Sequence, residues 1–397
     1  MLRVLFPYAC NDEWTSHLPF SLVRHLSQTT LGAELWVASR GPRARRSFVH
    51  AALPAKLHAL TRRLNHALAP RHDWVRAATE QRYKSALRGG DVALVSRGCS
   101  LELLQWLRAR GHLVVLERVN VMGHTYSGIM ADAHARAGWP MEFTLDQERL
   151  DAELAEVGLA DFIFSASPAV SDSLLALHVP PHKILPCSYG WDPDRFKGLT
   201  RALPAIDGVT VLFVGSIGMR KGAHLLLRAW RKAGIHGRLV LLGPLEPQIA
   251  RYCGDDLARS DVIHLPYDPN PAPVYRSADI FVLPTLEEGS PLVTYEAMGN
   301  GLPIVTSPMG AGWVVRHEQE GLVIEPNAEA AWIEALRRLA QDSSTRGRLG
   351  DGGRLRAAEY TWDKVAQRRH EQLHDLVQAR RTSPGQRSLA AAKTPAN

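Results

Sequence analysis

Apolar runs of strand length recur along this chain, each followed by a stretch of helical periodicity. That alternation limits the fold more than any other feature. In the first half the runs are residues 3–8, 34–39, 91–97, 112–119, 162–166 and 183–188, with helical patterns such as 101–110 and 168–177 between them. The pattern breaks over 195–209, where Lys197, Gly198, Pro204 and Gly208 read as a linker. A second series follows at 209–214, 238–242, 262–265, 279–284, 303–306 and 321–324. Alternating β and α predicts parallel sheets covered by helices. The expectation is an α/β chain of two Rossmann-like, doubly wound domains facing across a cleft, one over residues 1–197 and one over 205–360. Ligands of such sheets bind at the carboxyl ends of the strands.

The densest chemistry follows the strand at 279–284, in Thr285-Leu286-Glu287-Glu288-Gly289-Ser290-Pro291-Leu292 and on to Glu296. Ser290 reads as a helix N-cap and Pro291 as the first helical residue. Such a helix end presents unpaired N–H groups and partial positive charge, a seat for phosphate. Glu288 falls in the turn and Glu296 in the second helical turn. Carboxylates beside an anion seat repel phosphate but accept hydrogen bonds from sugar hydroxyls. Phosphate together with hydroxyls describes a nucleotide sugar. The plainer alternative is that glutamates near a helix start only complement its dipole.

The second series opens with a strand, then Gly215-Ser216-Ile217-Gly218-Met219-Arg220-Lys221-Gly222, then a helix at 223–233. The glycines allow close backbone approach, Lys221 can set an ammonium beside a diphosphate, and Arg220 can add a planar fork. The same residues also suit an ordinary helix-start turn with solvated cations. Gly310-Ala311-Gly312, after the strand at 303–306, is a third small-residue turn that can admit a phosphate or stay a flexible connection. In the first half the strand at 112–119 carries Glu117 and Arg118 and exits into a loop with Asn120 and His124. His124 can bond a sugar hydroxyl or a backbone carbonyl, or be merely solvated.

The formal charge of +7 and pI near 9.4 favour anionic partners. Residues 41–72 contain Arg43, Arg45, Arg46, Lys56, Arg62, Arg63 and Arg71 without an acidic residue, and Leu53, Leu57, Leu60, Leu64 and Leu68 recur at helical spacing. That is a basic amphipathic helix, either lying on an anionic membrane or packed on a core with its basic face solvated. The stripe lacks interleaved aromatics to stack bases, so nucleic acid is not an expected partner. No apolar run reaches the ~20 residues of a membrane-spanning helix. The first eight residues read as a strand and not a leader, and Cys10, Cys99, Cys187 and Cys253 are scattered. These features suit a cytoplasmic protein, peripheral at the inner membrane face. A helix capped by Thr361 should run to about residue 380, and the tail 381–397 reads as disordered.

The chain resembles the retaining glycosyltransferases of family 4, with the GT-B fold, over nearly its whole length. Glu288 through Glu296 matches that family's Glu-x7-Glu signature, and Ala297-Met298-Gly299-Asn300-Gly301-Leu302-Pro303 continues it. Phe213-Val214-Gly215 with Arg220-Lys221-Gly222 is similar to its diphosphate loop. Ser165-Ala166-Ser167-Pro168 and Tyr189-Gly190-Trp191-Asp192 resemble the end of its first domain, and Thr361-Trp362-Asp363-Lys364 its closing helix, which packs back on that domain. The resemblance implies that Lys221 binds the donor diphosphate, Glu296 the ribose hydroxyls, and Glu288 and His124 the transferred sugar as catalytic residues. The donor-binding set is Gly215, Ser216, Arg220, Lys221, Glu288, Gly289, Ser290, Pro291, Leu292, Glu296 and Gly310. It further implies a UDP-sugar donor, with GDP- or ADP-sugar as alternatives, a glycan or lipid-linked acceptor, and no metal or other cofactor. A sugar-nucleotide epimerase, a phosphorylase or a non-catalytic sugar-binding protein are the alternative readings. Three departures stand out: Ser216 where the family often has Arg, no glycine between Pro7 and Leu18, and Ala311 in place of a further glycine.

Overall fold

The computed structural model describes residues 1–11, 16–57, 60, 73–142 and 144–382. The chain divides into two compact units, Met1–Leu94 with the C-terminal segment from Trp362, and Val95–Thr361.

In the first unit β1 (Leu2–Cys10), β2 (Ala33–Arg40) and β3 (Val49–Ala51) are parallel, in the order β3-β2-β1. Leu2 pairs with Ala33, and Leu35 with Val49. Leu2, Leu5, Leu35 and Val37 are fully buried, as in parallel strands covered on both faces. Phe20, Val23 and Leu26 point inward from α1 (His17–Leu26), against which the C-terminal helix Trp362–Thr382 packs. Trp362 meets His17 edge-on, with ring centroids 6.1 Å apart. Buried Arg3 pairs with Glu34 and, at 3.0 Å, with Asp91. Tyr83, on α2 (Trp74–Ala86), donates to the Arg3 carbonyl at 2.9 Å.

Strand β4 (Val92–Ser96) carries the division between the units. Beyond it come α3 (Leu101–Ala109), β5 (Leu113–Arg118), α4 (Gly123–Ala137), α5 (Gln147–Leu159), β6 (Phe162–Ser165), α6 (Pro168–Leu175) and β7 (Ile184–Pro186). Ser100, Asp146 and Ser167 cap α3, α5 and α6 through their side chains, each satisfying a helix N–H that would otherwise lack a partner. β5, β6 and β7 are parallel neighbours, with Val115 opposite Phe162 and Ile163 opposite Ile184.

The second sheet comprises β8 (Val209–Val214), β9 (Gly237–Leu242), β10 (Val262–Leu265), β11 (Ile280–Leu283), β12 (Ile304–Thr306) and β13 (Gly321–Val323). All pairings are parallel, in the order β10-β9-β8-β11-β12-β13. Its principal helices are α7 (Ala223–Ala233), α8 (Pro247–Tyr252), α9 (Leu292–Gly299), α10 (Glu329–Gln341) and α11 (Ser343–Ala357). From β8 the chain winds outward to β10, then returns to set β11 against β8 and winds the other way. The turns after β8 and β11 therefore lie side by side at a topological switch point, where open α/β sheets bind ligands.

Four local expectations change. The segment at 41–72 includes strand β3, and Leu57 and Leu60 are half exposed. Residues 58–59 and 61–72, with Arg62, Arg63, Arg71, Leu64 and Leu68, lie outside the described residues, as does the tail beyond Thr382. His124 is the second residue of α4 rather than a loop residue. Helix α9 begins at Leu292 with Pro291 as its cap residue, because the Ser290 hydroxyl is engaged 2.6 Å from the Tyr295 hydroxyl. Finally, Gly310 and Ala311 end a single-turn helix, Pro308–Ala311, capped by Ser307, instead of forming an open turn.

Candidate functional site

The turns after β8 and β11 are joined through their backbones. The Leu286 N–H donates to the Arg220 carbonyl at 2.8 Å, and the Thr285 hydroxyl donates to the same carbonyl at 3.1 Å. Gly222 sits at φ +72°, and a Cβ there would stand 2.0 Å from the Pro284 carbonyl oxygen. A side chain at this point would push the two turns apart. Gly289, without a left-handed φ, also needs its bare backbone, since a Cβ would fall 1.4 Å from the carbonyl oxygen of Val119, just beyond β5.

This closeness sets two cations against two carboxylates. Lys221 pairs with Glu288. Arg220 Nη1 donates to the Glu287 carbonyl at 3.0 Å, to Glu287 Oε2 at 3.2 Å and to Glu288 Oε2 at 3.4 Å. Burial pushes the Glu288 carboxyl up, but Lys221 and Arg220 outweigh it and hold the group below the usual carboxylate range. Burial likewise opposes the Arg220 charge, and Glu288 and Glu287 restore it. The site as it stands is a neutralised cluster beside the amino end of α9.

Glu287 was not singled out from the sequence, yet it is the centre of the cluster. It is 1% exposed, and Asn120 Nδ2 reaches its two oxygens at 3.0 and 3.2 Å while the Val121 N–H donates at 3.3 Å. It thus ties the end of β5 to the turns after β8 and β11. The only sequence signal was its place next to Glu288.

The remaining candidates divide. Glu296, on α9, accepts from the buried Tyr275 hydroxyl at 2.9 Å. Ser216 donates to Glu246 at 2.6 Å, and a Cβ on Gly218 would fall on that same carboxylate. Gly215 has φ +136°. Gly310 packs under Thr306, and its carbonyl accepts from Thr294 at 3.1 Å. His124 is exposed at the start of α4, and among the described residues no hydrogen bond joins it to the cluster. The geometry therefore brings together Arg220, Lys221, Glu288, Gly289 and the start of α9 at Leu292. Glu246, Tyr275 and Tyr295 are further partners that no local motif announced.

A cavity of about 270 Å³ opens beside Arg220, walled by Tyr126, Met130 and His134 of α4 and by Met219, Glu246 and Gln248. Burial raises the Tyr126 phenol above its ordinary range. Beyond α4, Trp139 stacks on Tyr252 of α8 with ring centroids 4.8 Å apart and leans on His224 at 5.3 Å.

Residues 208–342 match the family model "Glycosyl transferases group 1". The domain built on β8 to β13 is a glycosyl transferases group 1 domain. Among curated relatives, the D-inositol 3-phosphate glycosyltransferase of Xylanimonas cellulosilytica is 28% identical over 287 residues, covering 66% of this chain and 68% of its own length. The protein of the same name from Saccharomonospora viridis is 30% identical over 267 residues, 61% of each chain. Aligned segments span 68%, 43% and 61% of the first three such relatives. The fold is GT-B. Sucrose-phosphate synthase from Thermosynechococcus elongatus superposes with a TM-score of 0.69 at 18% identity, over 95% of this chain and 99% of that chain. Anabaena HepE in complex with UDP-glucose superposes with a TM-score of 0.68 at 13% identity, over 94% and 99%.

Proposed function

We propose that this glycosyltransferase is a retaining enzyme of family 4. It moves a sugar from a nucleotide-diphosphate donor, UDP-sugar first among the candidates, to a glycan or lipid-linked acceptor in cell-surface polysaccharide or glycolipid synthesis. The observation that carries this reading is the pair of opposed turns at the switch point, with Lys221 and Arg220 beside the amino end of α9 and two carboxylates against them. Donor binding in HepE and the inositol-phosphate relatives support the substrate class by likeness.

In this reading the donor diphosphate takes the ammonium of Lys221 and the fork of Arg220, and the N–H groups at Leu292 share its charge. Glu288, relieved of Lys221, accepts from hydroxyls of the transferred sugar. Glu296, steadied by Tyr275, holds the ribose, and His124 meets the sugar from the α4 side. The bond from the anomeric carbon to the diphosphate breaks as the acceptor oxygen bonds on the same face, and the acceptor's proton passes to the departing diphosphate oxygen. The charge left on the diphosphate develops against cations and dipoles already in place, which is where such stabilisation counts most. Those groups supply the positive charge a metal would otherwise bring, so chelation by EDTA should leave turnover unchanged. Residues 1–197 and 205–360 are proposed as the two lobes, with the C-terminal helix belonging to the first. Among the described residues no helix is long and apolar enough to cross a membrane. Surface attachment through 41–72 is tested by flotation with anionic liposomes, where Arg62→Glu with Arg63→Glu should release the protein.

The test of the donor site is a thermal-shift panel with UDP, GDP, ADP, TDP and CDP on wild type and Glu296→Ala. A nucleotide at ~100 times its dissociation constant should stabilise the wild type by about 2.7 kcal/mol. Loss of that shift in Glu296→Ala places the ribose on α9. A flat response to all five nucleotides would overturn the donor reading.

A further inference from the structure

We infer that Glu287 is a positioning residue of the transfer step. It holds Arg220 in place for the donor diphosphate and ties that cation to the strand-end turn at Asn120 and Val121. The inference rests on the nucleotide-sugar reading above.

Lys221 and Glu288 cannot both keep their present pairing once a diphosphate arrives, because the ammonium must turn to the phosphates. Arg220 needs an anchor that does not move in that exchange. Glu287 meets the requirement. Its Oε1 accepts from Asn120 Nδ2 at 3.0 Å and the Val121 N–H at 3.3 Å, and its Oε2 takes Arg220 Nη1 at 3.2 Å. Both oxygens are committed and the carboxylate is 1% exposed, so it is closed to sugar and available only to its protein partners. Removing a buried carboxylate's charge while its partners stay costs their alignment as well as their energy.

Arg220 is oriented by that anchor at one end only. Among the described residues its recorded bonds all run through Nη1, and its side chain is 31% exposed. Nη2 and Nε keep the planar pair of donors that suits a phosphate bidentately. Ser216, the residue directly after Gly215, is spent on Glu246 and carries no charge. The second cation of the phosphate site is therefore Arg220, and its direction is set by Glu287. The Glu287 carboxylate also couples this cation to the β5 end, so the same contact that aims Arg220 fixes the turn leading into α4 and His124.

The experiment is a double-mutant cycle on the full chain with Glu287→Gln, Arg220→Met and the pair. Glutamine keeps the shape and an acceptor for Asn120 and Val121, but turns an uncharged amide toward Arg220. Affinity for UDP is read by calorimetry, with inorganic pyrophosphate as a probe that needs no nucleobase, and consumption of UDP-glucose supplies kcat and KM. Each single change should weaken diphosphate binding roughly tenfold to a hundredfold, the range for a hydrogen bond to a charged group. Because Glu287 acts through Arg220, Glu287→Gln should add nothing once Arg220 is methionine. Losses that multiply in the double variant would overturn the inference, as would a Glu287→Gln protein with wild-type affinity and turnover. A lowered melting temperature with unchanged Kd and kcat would mark a structural contact only and overturn it equally. If Glu287→Gln does not fold, Glu287→Asp, which keeps the charge one methylene back, takes its place in the cycle and should lose less than Arg220→Met. Wild type that binds neither UDP nor pyrophosphate defeats the donor reading itself, a result separate from any of these.

Discussion

The turn after β8 and the turn after β11 both end parallel strands at the switch point, both depend on glycine, and they use it for different reasons. In the basic turn, Gly215 at φ +136° and Gly222 at φ +72° supply conformations that other residues adopt only with strain. In the acidic turn, Gly289 has no left-handed φ, and its bare backbone admits the Val119 carbonyl. Gly215 shapes its own chain, Gly289 makes room for another strand's, and Gly222 does both, since a Cβ there would meet the Pro284 carbonyl. The charges are complementary too. Arg220 and Lys221 are desolvated against Glu287 and Glu288, an arrangement that contributes little net stability yet is costly to break from one side.

The largest effect should come from the acidic turn's glycine. Gly289→Ala drives a Cβ onto backbone that cannot swing aside and should cost more than about 3 kcal/mol in denaturant unfolding. At Gly215 a Cβ would meet only the flexible Lys221 side chain at 3.6 Å, so Gly215→Ala should lose just the left-handed strain, about 1–2 kcal/mol. Equal losses would break the distinction between the two turns.

Next is the ion pair that joins them. Lys221→Met leaves the Glu288 carboxylate buried with Arg220 alone and should destabilise the protein by about 3 kcal/mol at neutral pH. Its pH dependence is the sharper readout. In wild type the folded Glu288 pKa is lowered, so its contribution is present above the unfolded value and is lost as pH falls through the folded one. In Lys221→Met burial, the largest influence on this group, is opposed by Arg220 alone and should raise the folded pKa. The contribution then stands below the unfolded value and is lost as pH rises. Melting temperatures between about pH 4 and 7 should therefore slope in opposite senses for this group, and parallel slopes would refute the pairing.

His224, directly behind the basic turn on α7, has among the described residues no acid partner to set against its burial. Burial first, with Arg228 and His134 adding, pushes its pKa down from 6.5 to about 4. The unfolded chain takes up this proton earlier than the folded one, so stability falls as pH drops from 6.5 toward 4. The full loss is about 3 kcal/mol. His224→Gln should flatten that part of the stability curve while leaving the Glu288 dependence intact.

The smallest effect is expected at Tyr275→Phe, which removes the hydrogen bond to Glu296 at 2.9 Å. About 1 kcal/mol of stability should go, with a several-fold weaker response to the nucleotide that binds. A variant with unchanged nucleotide response would separate Glu296 from its support.

Much of this architecture was legible because parallel strands write themselves as short apolar runs. The runs at 209–214 and 262–265 coincide with β8 and β10, and the others lie within one residue at either end apart from β1 and β7, whose carboxyl ends are each two residues off. Gly222 before α7 and the Glu288 to Glu296 spacing are legible as a candidate site from local sequence. Strand β3 was missed because it is three residues long and sits in a stretch whose leucines also fit a helical period. The Ser290 cap was misread because its hydroxyl had a tertiary competitor, Tyr295, that no local rule includes. Glu246 and Glu287 were passed over for a related reason, since their partners Ser216 and Asn120 are 30 and 167 residues away.

The elements, the repeated β–α rhythm and the chemistry placed at each strand end follow from local periodicity, turn residues and caps, which act over a few residues and can be read along the chain. Which strand ends meet is a matter of long-range packing. The reversal between β8 and β11 puts a basic turn beside an acidic one, and the carbonyl of Val119 against Gly289 brings a third strand end to both. That is why Glu287, unremarkable in the chain, is among the described residues the carboxylate in contact with all three. Its importance comes from desolvation and from partners far away in sequence, and neither quantity is written in its neighbours.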